Sequence, residues 1–246
     1  MSNLLIEDAT LTGIANAIRG KEGSSNPIQV RDFAQRIANL PSGGGTYTLH
    51  GDMSGGTMLA ELLNAGLDVN TSGVTDMGSM FYMCQSTTVD LSSLDTSNVT
   101  NMGSMFRASK FRQLDLRSLN TSMVHIMNYM FEGATLITSL DLSNFDTENV
   151  SSMQYMFSRM TALTTLNLRG FDTRNVTSMS SMFDRLTALT SITFGPLWIT
   201  ASSGTDTNQT TGTWTNTVTG VSYTGLQALL EAGRTLGAIE GTWVKS

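Results

Sequence analysis

The chain has 246 residues, 40% of them hydrophobic and only 14% charged, with a formal net charge of −6. That is enough apolar material for a sizeable core, and an acidic balance without a basic stripe excludes nucleic acid and anionic membrane surfaces as bulk partners. The single cysteine, Cys84, excludes an internal disulfide and a Cys/His zinc cluster, and no apolar run approaches the ~20 residues of a membrane span, so no membrane insertion is expected.

In chain order, the first residues lack a basic region followed by an apolar one, so no signal peptide is read there. Residues 10–20 predict an amphipathic helix with Leu11, Ile14 and Ile18 on one face, ended by Gly20. A second helix, over about 30–40, aligns Val30, Phe33 and Ile37. Two such helices bury too little to be stable alone. Residues 1–41 are therefore expected to be an attachment or oligomerisation segment, with a homotrimer favoured over docking on the rest of the chain. Residues 42–56, which include Ser42-Gly43-Gly44-Gly45, read as a linker and turn. Residues 57–66, TMLAELLNAG, predict a capping helix with Thr57 as N-cap and Gly66 just past its end.

Residues 67–195 are tandem repeats. Met-Phe pairs fall at 80–81, 105–106, 130–131, 156–157 and 182–183, and Val at 74, 99, 124, 150 and 176 keeps the same register. Each unit opens on an alternating run, such as Leu140-Asp141-Leu142 or Leu166-Asn167-Leu168, which reads as a half-buried strand. Its second half places two Met and a Phe at i, i+3 and i+4, which reads as a short helix capped by Thr75, Thr100, Ser151 or Thr177. One strand and one helix per unit cannot bury a core alone, so the units are expected to stack. The predicted fold class is an α/β repeat: a solenoid of five 25–26-residue units, each with one parallel strand and one short helix. Methionines on that spacing, and Cys84 in a slot shared with Ala134, Met160 and Leu186, read as core. Asn98, Asn149 and Asn175 read as a ladder bonding backbone.

Residues 196–246 read as a small β-hairpin, helix and strand. The hairpin covers Trp214–Val221, and 224–233, TGLQALLEAG, repeats the pattern of 57–66 with Thr224 as N-cap. The segment is either a C-terminal cap or a separate tip carrying Trp198, Trp214 and Trp243.

The motif LDLSNFDTENVSSMQYMF at 140–157, with its periodic Met-Phe pairs, resembles the BspA-like leucine-rich repeat family. That resemblance covers about half the chain and implies a repeat protein used in adhesion or recognition, without an enzymatic activity. Residues 5–41, with LTGIANAIRGKEG and a second helix ending IANLP, resemble a short segment at the start of tail and baseplate proteins of phages and prophages of Gram-positive hosts.

No motif for hydrolysis, phosphate binding or metal ligation is present, and acids that recur with the repeat are structural first. No enzyme activity and no cofactor is expected. Recognition is sought where units depart from the consensus, because packing does not require those residues. His125, Ile126, Tyr129 and Tyr155 form one candidate patch, for a receptor or for another copy of the chain. Gln113, Asp115, Arg117, Thr165, Asn167 and Arg169 form a candidate polar site on the strand face, suited to sugar hydroxyls. The expected function is a phage or prophage tail protein that binds a carbohydrate or protein receptor on the host surface. It would join other tail or baseplate proteins through residues 1–41, assemble in the bacterial cytoplasm and reside in the virion. The alternatives are a bacterial cell-surface adhesin and a structural spacer of a tail.

Overall fold

The computed structural model describes residues 47–48, 56–64, 69–201 and 212–246. The attachment helices expected around Leu11, Ile14, Ile18, Val30, Phe33 and Ile37 lie outside these residues, as does Gly66. In chain order the described elements are β1 (Tyr47–Thr48), α1 (Thr57–Asn64), β2 (Val69–Asn70), β3 (Ser139–Asp141), β4 (Thr165–Leu168), β5 (Ser191–Phe194), β6 (Thr213–Asn216), β7 (Ser222–Thr224), α2 (Leu226–Ala232) and β8 (Gly241–Lys245). β1 and β2 form a parallel pair. The other strands form one open six-stranded sheet in the order β3-β4-β5-β8-β6-β7. It is parallel through the repeats, and β8 then runs antiparallel between β5 and the β6–β7 hairpin.

This architecture overturns the expected solenoid with a helix in every unit. The two described helices, α1 and α2, both lie outside the repeats, and only three of the five units carry a regular strand; the framework is a mostly β, open sheet. The hydrogen bonds of the Met-Phe segments give the reason. In unit two, the N–H groups of Met102, Ser104, Phe106 and Ala108 donate to carbonyls of Ile126, Asn128, Met130 and Glu132 in the next unit. The intervening N–H groups of Met105, Arg107 and Ser109 donate to carbonyls three residues back. An α-helix would send its N–H groups to carbonyls four back, inside the segment. Here Ser104 (φ 58°) and Ala108 (φ 54°) are left-handed, and the same two positions recur in every unit. Both arrangements bury the same two Met and the Phe, so apolar spacing does not separate them. Nor do Thr75, Thr100, Ser151 and Thr177 cap helices. With His125 they form a ladder in which each N–H from 100 onward donates to the carbonyl of its counterpart one unit back.

Units one and two carry no regular strand at their runs 89–91 and 114–116, where Asp90 and Asp115 occupy the middle position. In β3 and β4 the equivalent pair is Asp141 and Asn167, whose amide donates to the carboxylate at 2.9 Å, and Thr165 bonds Ser139 beside it at 2.8 Å.

The core is one continuous cluster from Leu59 in α1 to Trp243 in β8. The Phe rings of the Met-Phe pairs stack along the axis with centroids 5.5, 5.5, 5.9 and 6.0 Å apart, and Trp198 lies against the last. The paired Met and Cys84 are buried beside them, as their spacing implies. Asn98, Asn149 and Asn175 each donate to a carbonyl of the preceding unit, at 2.8–2.9 Å. A second, buried ladder is formed by Thr71, Thr96, Thr121, Thr147 and Thr173. Each hydroxyl donates to a carbonyl of the following segment and accepts the N–H of the same residue, as Thr147 does with Asp172 at 2.8 and 2.9 Å.

In the C-terminal part, α2 begins at Leu226 with Gly225 (φ 82°) as its N-cap, so Thr224 ends a strand and does not cap the helix. Gly225 reaches a φ that costs other residues energy.

Candidate functional site

The buried Met-Phe columns fix an exterior edge. In each unit, the residue before the second Met and the two residues after the Phe lie along this edge, Glu132 and Ser158 buried and the others at least partly exposed, and two of the three are left-handed. Unit by unit they are Ser79, Tyr82, Met83; Ser104, Arg107, Ala108; Tyr129, Glu132, Gly133; Tyr155, Ser158, Arg159; and Ser181, Asp184, Arg185. Where three units have Ser, units three and four hold Tyr at φ 60° and 55°. A bulky residue rarely adopts this backbone, so inter-unit bonds such as Tyr129 N–H to the Gln154 carbonyl, 2.8 Å, hold it there.

The two rings meet face to face, with centroids 4.9 Å apart and planes within 4°. The Arg107 guanidinium lies 5.0 Å from the centre of the Tyr129 ring and 5.7 Å from that of Tyr82, within cation–π range. Glu132, nearly buried, takes Arg107 Nε at 2.6 Å and Arg159 Nη1 at 3.3 Å. Asp184 faces Arg185 at 3.6 Å. Three cations against two carboxylates leave this edge at +1, in a chain whose net charge is −6.

The structure thus joins Tyr129 to Tyr155, while the contacts of the other two residues of the expected patch are with neighbouring backbone. His125 is exposed, and its Nδ1 sits 2.8 Å from the Met123 carbonyl. Ile126, also exposed, bridges Asn101 and Ser152 in the backbone ladder. Tyr82, Arg107, Glu132 and Arg159 were missed in the sequence. The signal available was register: reading the two columns after each Phe shows Arg107 directly followed by Glu132, an opposite pair one unit apart.

The polar strand-face group does not form one site. Gln113, Asp115 and Arg117 belong to unit two, whereas Thr165, Asn167 and Arg169 belong to unit four, with unit three between them. Arg117 clasps Asp115 with Nε at 2.9 Å and Nη2 at 2.5 Å; these bonds and the Arg117 N–H hold the carboxyl down at about 2. Both line a cleft of about 360 Å³ with Asp90 and Val89. Thr165 and Asn167 bond across to unit three. Arg169 lines a different hollow, of about 490 Å³, with Asn216, Glu240 and Trp243 of the C-terminal part.

The repeated carboxylates act locally. Asp90, Asp95, Asp115, Asp141, Asp146 and Asp172 each accept the N–H two residues on, the Asx geometry that closes a turn. Among the described residues no three His, Cys, Asp or Glu side chains group as metal ligands. The edge chemistry is that of contact: ring faces, guanidinium donors and hydroxyls.

A family model described as Mycoplasma protein of unknown function, DUF285, matches residues 52–141 and, a second time, residues 115–217. The two overlapping matches together span 52–217, over half of the chain. No curated protein and no solved structure matches it.

Proposed function

We propose, from the premise that this chain belongs to the DUF285 family, a family related to BspA-like repeat proteins, that it is a non-catalytic recognition protein. The observation that carries this reading is the Tyr129–Tyr155 pair. Two half-buried aromatic rings occupy left-handed exterior positions where Ser fits in three other units. The core does not need them, and Tyr suits a contact surface because its rigid ring is amphipathic.

The setting we propose is a phage or prophage tail, with the described edge facing a bacterial host and residues 1–41 attaching to tail or baseplate proteins. What supports this setting is the likeness of residues 5–41 to the start of such proteins. A bacterial cell-surface adhesin is the second reading, supported by the family relationship, and would use the same edge; a structural spacer would need no such edge. The test is binding of labelled protein to whole bacterial cells, with and without wall-polysaccharide mutations. Tyr129→Ala with Tyr155→Ala should reduce binding at least tenfold with the melting temperature within a few degrees. Undiminished binding by the double variant removes the edge from the reading.

A further inference from the structure

We infer that the Tyr edge contains one vacant stacking position, between Tyr155 and Ser181, and that it takes a pyranose ring bearing an anionic substituent. The inference deepens the recognition reading above by naming a ligand class for the same edge.

The planar groups form a column along the repeat axis. Arg107 of unit two covers Tyr129 of unit three, and Tyr129 covers Tyr155 of unit four. Unit five lies directly beyond, since the Tyr155 N–H donates to the Ser180 carbonyl at 3.0 Å and the Arg159 N–H to the Asp184 carbonyl at 2.8 Å. There the column residue is Ser181, with the same left-handed backbone (φ 53°). At that position unit five has a hydroxymethyl group and no ring, and among the described residues Tyr129 alone stacks on the Tyr155 ring. Where units three and four bring two rings together at 4.9 Å, unit five leaves one ring's room.

Size and charge choose the occupant. One repeat of height is far below the ~800 Å² per partner of a stable protein interface, whereas one saccharide ring presents an apolar face that an aromatic ring can cover. The rim carries hydroxyl and guanidinium donors: Ser181, Arg159 and Arg185, both Arg more than half exposed. Two rim guanidiniums, Arg159 and Arg185, against the Asp184 carboxylate of the same rim favour an anion on the sugar. A carboxylate and a phosphate share that chemistry.

The test uses the full chain and calorimetric titration with trigalacturonate, glucose 6-phosphate and maltotriose. One or both anionic sugars should bind at least tenfold tighter than maltotriose, and which of them does so identifies the carboxylate or the phosphate. Tyr155→Ala should weaken that binding about tenfold, and Tyr155→Phe should retain it. Ser181→Tyr should abolish it at an unchanged melting temperature, because the same backbone slot holds Tyr in units three and four. The inference is overturned if no sugar binds, if maltotriose binds as tightly, if Ser181→Tyr leaves affinity intact, or if Tyr155 proves instead to mediate pairing of two chains by light scattering. Whole-cell binding separates the two claims. Cells bound equally by wild type and Ser181→Tyr sink the vacant position and leave recognition standing. Tyr155-dependent sugar binding without binding to any cell does the reverse.

Discussion

Ser109 occupies the slot that Cys84, Ala134, Met160 and Leu186 fill in the other units, and its hydroxyl oxygen is buried without a hydrogen-bond partner. A buried hydroxyl with no partner costs the loss of its hydration. Ser109→Ala should therefore raise stability by about 1 kcal/mol in urea denaturation; a loss of stability would mean that the hydroxyl has a role the packing does not show. Asp172 shows the opposite case, a polar group fully used. Its nearly buried carboxylate takes Arg174 Nη2 at 2.6 Å and Nε at 3.0 Å. The Arg174 side-chain bonds hold its pKa below the ordinary carboxylate value, against desolvation. A depressed pKa supplies stability that is complete above the unfolded value, about 3.9, and is lost as pH falls through the lower folded value. Asp172→Asn should thus melt below wild type at pH 7, and the gap should narrow as pH drops below about 4. A gap that stays constant from pH 7 to pH 2.5 would show that ionisation is not what the side chain contributes.

At the scale of elements, the repeats are tied together by two devices of different legibility. The Thr ladder was in plain view, since Thr71, Thr96, Thr121, Thr147 and Thr173 keep the register of the Met-Phe pairs. A polar residue in a loop-like stretch gave no sign that it would be buried. Thr147→Val keeps the shape but strands the N–H and carbonyl of Asp172, at a cost of about 3 kcal/mol for two buried unpaired groups; Thr147→Ser should recover most of it in the same denaturation experiment. The left-handed turn positions were not legible, because Ser, Met, Ala, Tyr and Arg occupy them and only Gly133 has the expected preference. Gly133→Ala should lower stability by about 1 kcal/mol and Ala108→Gly should raise it by a smaller amount. A Cβ at Gly133 meets nothing closer than 3.8 Å, so the effect would be conformational and not steric. Equal signs for the two variants would contradict the backbone reading. The same turns explain why apolar spacing reveals the core columns and not the inter-unit ladder: burial depends on which residues face inward, whereas helix or ladder depends on where each N–H points. The candidate site was legible in half. Tyr129 and Tyr155 stood out as departures from Ser, but Arg107 and Glu132 become partners only when adjacent units are laid in register.

At the scale of the whole molecule, the edge offers few contacts, and one ring-sized position on one chain binds weakly. A single saccharide site becomes effective on a cell when several copies are held together, because each further contact is then made at the high effective concentration set by the first. The apolar faces expected at Leu11, Ile14 and Ile18, and at Val30, Phe33 and Ile37, would supply that assembly. Light scattering of the full chain at micromolar concentration should give the mass of a trimer. Ile14→Asp with Phe33→Asp would place a charge on each expected face and should give a monomer that keeps the melting transition of the described core. If assembly acts through avidity, the monomer should bind whole cells at least a hundredfold more weakly and yet titrate a soluble sugar with unchanged affinity. A fall in both affinities would place the apolar faces in the folding of the edge itself. A monomeric wild type that binds cells tightly would mean that one copy carries a larger contact surface than the Tyr edge supplies.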